Sequence, residues 1–346
     1  MAFGGGSRLS RCSQIWKSCL LAAPVWLCTL VVAQTSTFVS FDAPDAGLGV
    51  GQGTHPLKIN QNGVITGWYL DSHTVMHGFV RMANGQITEF DAPGASFTHP
   101  NDINSLGQIV GTTSTHAFLR LANGVFMKIA VPGAINTNAY GINDSGAITG
   151  VYSDSAGIWH GFLRDRSGTY TFFDAPDGGT HSAQGTTPIA INASGEIVGY
   201  YLDAASLYHG FVRDPSGTLT EFDAPGTWFG STYPAINGNG EVIGNYSDVN
   251  YRSHAFLRDA AGNITTIDMP GATTTLAYGI NDRGAVVGVV GKPHGGSTGF
   301  LRDSSGNFLV VSAPAPNNGT IPTSVNLKNI TGWYYDTNNA IHGFVQ

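Results

Sequence analysis

Hydrophobic positions along this chain come in short runs, in which β-branched and aromatic residues are set against small or polar ones. Each run ends in a cluster of Gly, Asn, Asp or Pro, so the pattern predicts strands separated by tight turns. Helical period is absent from the repeated part of the chain. The runs also recur in a fixed order. Tyr140 to Asp174 holds one complete set: a stub Tyr140 to Asn143, a Gly turn, the strand Ala147 to Tyr152, a loop, the strand His160 to Arg164, a Ser-Gly turn, and the strand Thr169 to Asp174.

Seven sets follow one another. Their first anchor is an Asn before a turn, at Asn60, Asn104, Asn143, Asn192, Asn237, Asn281 and Asn326. The second is a Phe, at Phe79, Phe118, Phe162, Phe211, Phe256, Phe300 and Phe344, spaced by 39, 44, 49, 45, 44 and 44 residues. The third is a Phe-Asp-Ala-Pro stretch at Phe41, Phe90, Phe173 and Phe222, with looser versions near Ile129, Ile267 and Val311. A four-stranded unit of this length suits one propeller blade. The expected fold is therefore all-β, a seven-bladed β-propeller of four-stranded blades. Thr37 to Pro44 is an orphan fourth strand and the last unit stops without one, so the N-terminal strand is expected to close the ring and remove two exposed sheet edges. In that order strand one is innermost, where Gly141, Ala190, Ala235 and Gly279 suit a crowded channel.

Residues 1–33 stand apart. Arg8, Arg11 and Lys17 precede the apolar run Leu20 to Val32, and Val31-Val32-Ala33 offers a cleavage point before Gln34, the layout of a secretory signal. Residues 34–346 then form a single propeller domain. All three cysteines, Cys12, Cys19 and Cys28, fall in the leader, leaving no thiol or disulfide in the exported chain. The formal net charge is −7, and losing the leader removes three cations, so nucleic acid is not an expected partner. No second long apolar run follows, so no membrane span is expected after signal removal. A monomer that is secreted, periplasmic or held at the cell surface is the expectation.

His116-Ala-Phe-Leu-Arg120, His254-Ala-Phe-Leu-Arg258, His160-Gly-Phe-Leu-Arg164 and His209-Gly-Phe-Val-Arg213 resemble the HAF-type repeats of bacterial extracellular proteins. The likeness spans residues 37 to 346 and implies an extracellular repeat protein. It carries no catalytic signature.

The most regular polar feature is an Asp followed six residues later by a His: Asp71 and His77, Asp154 and His160, Asp203 and His209, Asp248 and His254, Asp336 and His342. The two should face each other across a hairpin and share a hydrogen bond. Unit six has Thr298 in place of the His and no Asp six residues before it, as expected of a pair that acts together. Recurrence in five units reads as a structural tie, with ring metal binding as the rival.

Residues that break the repeat are the better candidates for function. Two places before the Asn, units one and two carry Lys58 and Asp102 where later units are small, and upstream of them stand His55 and His99, each followed by Pro. Two readings apply: an inter-blade salt bridge beside solvated loop histidines, or an acid/base cluster at the channel mouth. Loops expected on the same face hold His181, Trp228, Phe229, Tyr233, Lys292 and His294, and exposed aromatic groups beside polar ones suit sugar stacking.

The leading expectation is a binding module for an extracellular ligand, with carbohydrate the first class, on the loop-rich face. The alternative is a polysaccharide-active enzyme, a uronate lyase or glycoside hydrolase, at the channel mouth near units one and two. Elimination would use Lys58 against the sugar carboxylate, His55 or His99 as base, and Tyr140 or Tyr233 as acid. Hydrolysis would need Asp102 and a second carboxylate. No cofactor is called for, and calcium at clusters such as Asp248 to Asn250 is the one candidate ion.

Overall fold

A computed structural model describes residues 37–346 except Trp228, 292–295 and 315–317, and gives the backbone alone for 229–233. The expected leader lies outside that range. Every regular element described is a strand. No helix among the described residues is long and apolar enough to cross a membrane.

The strands pair antiparallel in fours within the sequence units; three such fours are separate sheets, and the others are joined into two larger sheets by the single parallel bridges Gly53–Ile341 and Trp159–Gly185. Unit one uses Gly53–Ile59, Ile65–Leu70, Met76–Arg81 and Ile87–Phe90, paired in that order. Unit six repeats the plan with Thr274–Ile280, Val286–Gly291, Ser297–Arg302 and Phe308–Val311. The last unit supplies Thr320–Val325, Ile330–Tyr335 and Ile341–Val345. Its outer partner is Val39–Phe41, with Val39 opposite Val345 and Phe41 opposite Gly343.

The anchor asparagines explain how the inner strands are held. Asn60 Oδ1 accepts the N–H groups of Asn62 and Val64 and so shapes the first turn, where Gly63 takes φ 77°. The amide nitrogen reaches sideways. Asn60 Nδ2 donates to the carbonyl of Asn104 (2.9 Å), Asn104 to Asn143 (3.0 Å), Asn143 to Asn192 (3.0 Å) and Asn192 to Asn237 (3.1 Å). Asn237 donates to Asn281 (3.0 Å), Asn281 to Asn326 (2.9 Å), and Asn326 back to Asn60 (2.7 Å). All of these side chains are buried, so each bond satisfies a carbonyl that water does not reach.

The core lies between neighbouring four-stranded units. The second-anchor phenylalanines are its largest fully buried side chains. Phe162 packs with Val110, Leu119 and Ile129 of the preceding unit, and Phe79 packs with Ala43 and Phe41 of the N-terminal strand. Four of the motif arginines lie over the previous unit's aromatic ring, as Arg81 does 4.7 Å from the Phe41 centroid and Arg120 4.7 Å from Phe90, while Arg164 lies over Tyr170 of its own unit. Size is matched across the outer pair. Gly78 and Gly161 stand opposite Phe90 and Phe173, and a Cβ on Gly78 would lie 2.4 Å from the Phe90 ring. Where the residue is Ala117, the opposite place holds Ile129.

The repeated histidine has two carboxylate partners rather than the single one expected. His160 Nε2 is 3.5 Å from Asp154, while Nδ1 is 2.9 Å from Asp174, the Asp of Phe-Asp-Ala-Pro. His77, His209 and His254 repeat the arrangement. His342 reaches Asp336 and, from the other end of the chain, Asp42 at 2.8 Å. A Tyr stacks on each of the first four imidazoles, as Tyr152 does on His160 with centroids 5.0 Å apart. The tie thus joins three strands of a sheet.

Candidate functional site at the channel mouth

Each inner strand pairs with the second strand of its own unit and, but for single bridges at Gly53 and Gly185, carries no neighbour on its other side; residues of these strands line a common central space. Edge position tolerates Pro, which lacks the N–H a ladder needs, and Pro56, Pro100, Pro188 and Pro322 all sit on these strands. Just after them the register slips by one residue: between Pro56 and Lys58, Pro100 and Asp102, Pro188 and Ala190, and Pro322 and Ser324, and likewise between Ala139 and Gly141 and between Ala277 and Gly279. A bulge re-aims the extra side chain. Here the extra residues are Leu57, Asn101, Tyr140, Ile189, Tyr278 and Thr323, and all of them line one cavity of about 440 Å³ at the mouth of the channel.

His99, Lys58, Asp102 and Trp333 complete its polar and aromatic wall. Below it, a narrower chamber of about 240 Å³ is bounded by the asparagine ring, and Lys58 and Asp102 line both spaces. The structure places Lys58, His99, Asp102 and Tyr140 on the wall of one cavity. Asn101, Tyr278 and Trp333 join them unanticipated. For Asn101 and Tyr278 the signal was present, because the place three before each anchor Asn is one of the most varied in the repeat.

Both histidines sit on strands rather than in loops. His99 is oriented through Asn101. The Asn101 amide nitrogen donates to the Ala139 carbonyl (2.8 Å) and the Thr112 hydroxyl (3.2 Å), which turns Oδ1 toward His99 Nδ1 at 2.8 Å. An amide oxygen only accepts, so His99 carries its proton on Nδ1 and keeps the Nε2 lone pair free for a ligand. Burial holds this imidazole below its ordinary pKa.

His55 is not on the cavity wall. Its ring stacks on Trp68 with centroids 3.7 Å apart, meets Trp333 edge-on at 5.1 Å, and Trp68 in turn lies 5.9 Å from His99. Burial, and secondarily His99, lowers its pKa to about 3, and Nε2 has no hydrogen-bond partner. It braces the wall in neutral form instead of serving as a base. Tyr140, whose hydroxyl is 3.4 Å from Asn138 Nδ2, is pushed up by burial.

The expected salt bridge between Lys58 and Asp102 is not formed. Asp102 gives Oδ1 to the Ile103 N–H (2.9 Å) and Oδ2 to the Ile142 N–H (3.0 Å). Burial raises its pKa despite Lys58 and those two donors.

Of the loop candidates, His181 is exposed and lies apart from the cavity, its N–H donating to Gln184 Oε1. Trp228, Lys292 and His294 lie outside the described residues, as do the side chains of Phe229 and Tyr233. At the calcium candidate, Asp248 Oδ1 accepts the N–H groups of Asn250 and Arg252, so that carboxylate serves its own turn. Among the described residues no group of three His, Cys, Asp or Glu side chains is arranged so that it could hold a metal ion.

Neither protein-family models nor curated proteins give a match to the chain. Solved structures do. A catalytically inactive virginiamycin B lyase from Staphylococcus aureus, with quinupristin, aligns with TM-score 0.61 at 14% identity over 90% of this chain and 99% of that one. The β-propeller domain of Cps50 (Swd1) from Myceliophteria thermophila aligns with TM-score 0.53 at 7% identity over 89% and 99%. The chain has a repeated β-propeller fold. At these identities the likeness speaks to fold alone, and each four-stranded unit can now be called a blade.

Proposed function

We propose that the chain is a secreted, seven-bladed propeller closed by its N-terminal strand, and that it binds carbohydrate at the channel mouth. Closure is supported by the hydrogen bonds that run from Asn60 through each anchor Asn and return from Asn326, and by the pairing of Val39–Phe41 with the last strand. The binding reading is carried by the cavity itself. Tyr140, Tyr278 and Trp333 offer apolar faces, and His99, Asn101, Asp102, Thr323 and Lys58 set a few polar groups among them. That mixture suits a sugar ring, whose C–H face packs on aromatic side chains while its hydroxyls need donors and acceptors. The test is a glycan array with polysaccharide pull-down, using wild type, Trp333→Ala and Tyr278→Ala. Binding that both substitutions weaken supports the site. No glycan bound, or binding that neither substitution alters, rejects it.

A second reading, an enzyme cleaving uronate polymers by β-elimination, draws on His99: a neutral imidazole of defined tautomer on the same wall as Tyr140 supplies a base and an acid. Hydrolysis fits less well, because Asp102 is the only carboxylate among the described residues of the cavity and two backbone donors hold it. Incubation with uronic-acid polymers, read by the ultraviolet absorbance of unsaturated ends, decides. Product from wild type and none from His99→Gln supports the lyase, and no product from wild type removes it.

A further inference from the structure

Lys58 is the only lysine or arginine on either chamber of the channel among the described residues, and it stands where the two meet. Every ion pair among the described residues joins a histidine to an aspartate, so no carboxylate lies within 4.0 Å of this ammonium group. The obvious neutralising partner is engaged elsewhere. Asp102 Oδ2 accepts the Ile142 N–H, and Ser324 Oγ, at the same place in its blade, accepts the Ile59 N–H at 3.3 Å. In each case the side chain caps a backbone donor of the next inner strand. Asp102 therefore serves the scaffold as Ser324 does, and Lys58 is left facing the channel.

A cation drawn partly out of water with no carboxylate in ion-pair contact raises the free energy of the empty site, and an arriving anion relieves it. Above Lys58 stands the aromatic wall of Tyr140, Tyr278 and Trp333. From this juxtaposition we infer that the occupant is an acidic sugar, a hexuronate residue whose carboxylate meets Lys58 Nζ while its ring lies against the aromatic wall. The inference rests on the carbohydrate reading and narrows it to a substrate class. A formal net charge of −7 repels a long polyanion at a distance, so the fitting form is a short oligomer or a chain end.

The test is calorimetric titration with a galacturonic acid trimer, a galactose trimer and 4-hydroxybenzoate, on wild type, Lys58→Met, Lys58→Arg and Asp102→Asn. Wild type should bind the acidic trimer at least about 10-fold tighter than the neutral one, the yield of one charge-assisted contact, and added salt should narrow the gap. Lys58→Met should erase the preference, weakening the acidic trimer at least about 10-fold more than the neutral one. Lys58→Arg should keep the preference. Asp102→Asn should strengthen acidic binding by removing a negative charge on the same cavity wall that repels the sugar carboxylate, and it keeps the test alive if Lys58→Met fails to fold. Equal affinity for the two trimers in wild type, or a preference that survives in Lys58→Met, overturns the inference while leaving carbohydrate binding intact. If neither trimer binds and 4-hydroxybenzoate binds through Lys58, the carbohydrate reading fails and the hexuronate assignment falls with it.

Discussion

In blade one, His55 stands opposite Trp68 across the first hairpin, and in blade six the same two places hold Leu276 and Val289. Blade one carries Asp71, His77 and Asp91 as its tie, where blade six has Thr298 and Ser312 in the places of His77 and Asp91. Yet both bury their Phe fully, both hold their Asn in the ring, and both bulge at the residue that lines the cavity. What persists in blade six is what the fold requires. What blade one adds is therefore the place to look for function, and the additions cluster where blades seven, one and two meet: Trp333, His55, Trp68, His99, Lys58 and Asp102.

The comparison breaks most severely at the shared core. Phe79→Ala and Phe300→Ala should each cost about 3 to 5 kcal/mol, because each removes a fully buried ring from a packed inter-blade space. Near-equal losses by chemical denaturation are expected. A much smaller loss for Phe300→Ala would mean that blade six is already loose.

The next effect belongs to blade one alone. With its folded pKa near 3 against an ordinary 6.5, His55 is neutral when folded and takes up a proton when unfolded. Stability from this group is thus fully present above pH 6.5 and drains as pH falls toward 3, by roughly 1.4 kcal/mol per pH unit. His55→Leu, which copies Leu276, should flatten the fall in melting temperature just below pH 6.5. An unchanged slope would show that His55 is not the group responsible.

How much of this was legible depended on whether a feature repeats. Asn60 and Phe79 could be read because six other units print the same residue at the same step. The Asp154 partner of His160 was legible across the hairpin. The closer partner, Asp174, was missed, although the 14-residue step from His to Asp holds in four units and both residues are absent together at Thr298 and Ser312. The closing pair, His342 with Asp42, spans the whole domain. The bulge that turns Tyr278 and Asn101 into the cavity is a matter of strand register, which periodicity does not reveal. Charge on neighbouring blades suggested a Lys58–Asp102 pair, but Asp102 is held by backbone donors that no residue letter announces.

Smaller is the effect of size matching. Gly78→Ala should cost about 1 to 3 kcal/mol through overpacking against Phe90. The double change Gly78→Ala with Phe90→Ile copies Ala117 and Ile129 and should recover most of that loss. Recovery by Phe90→Ile in denaturant melts would confirm the coupling, and strict additivity of the two costs would refute it.

The smallest expected effect is that of the tie, because its carboxylates are largely exposed and exposed ion pairs contribute little. Its signature is the pH range. Burial alone would lower the His254 pKa, but Asp268 and Asp248 outweigh it and raise it above 6.5. That contribution is complete below pH 6.5 and is lost as pH climbs through the raised value. Asp248 is held below 3.8, chiefly by the Arg252 N–H, so its contribution is present above pH 3.8 and is lost as pH drops through the lowered value. The tie should therefore stabilise most between pH 3.8 and 6.5. His254→Thr, which copies blade six, should lower the melting temperature most within that window and progressively less on either side. Installing His and Asp together at Thr298 and Ser312 should give a small gain over the same range. A difference between wild type and His254→Thr that grows toward alkaline pH would mean that the imidazole acts in its neutral form, and the charged tie would have to be abandoned.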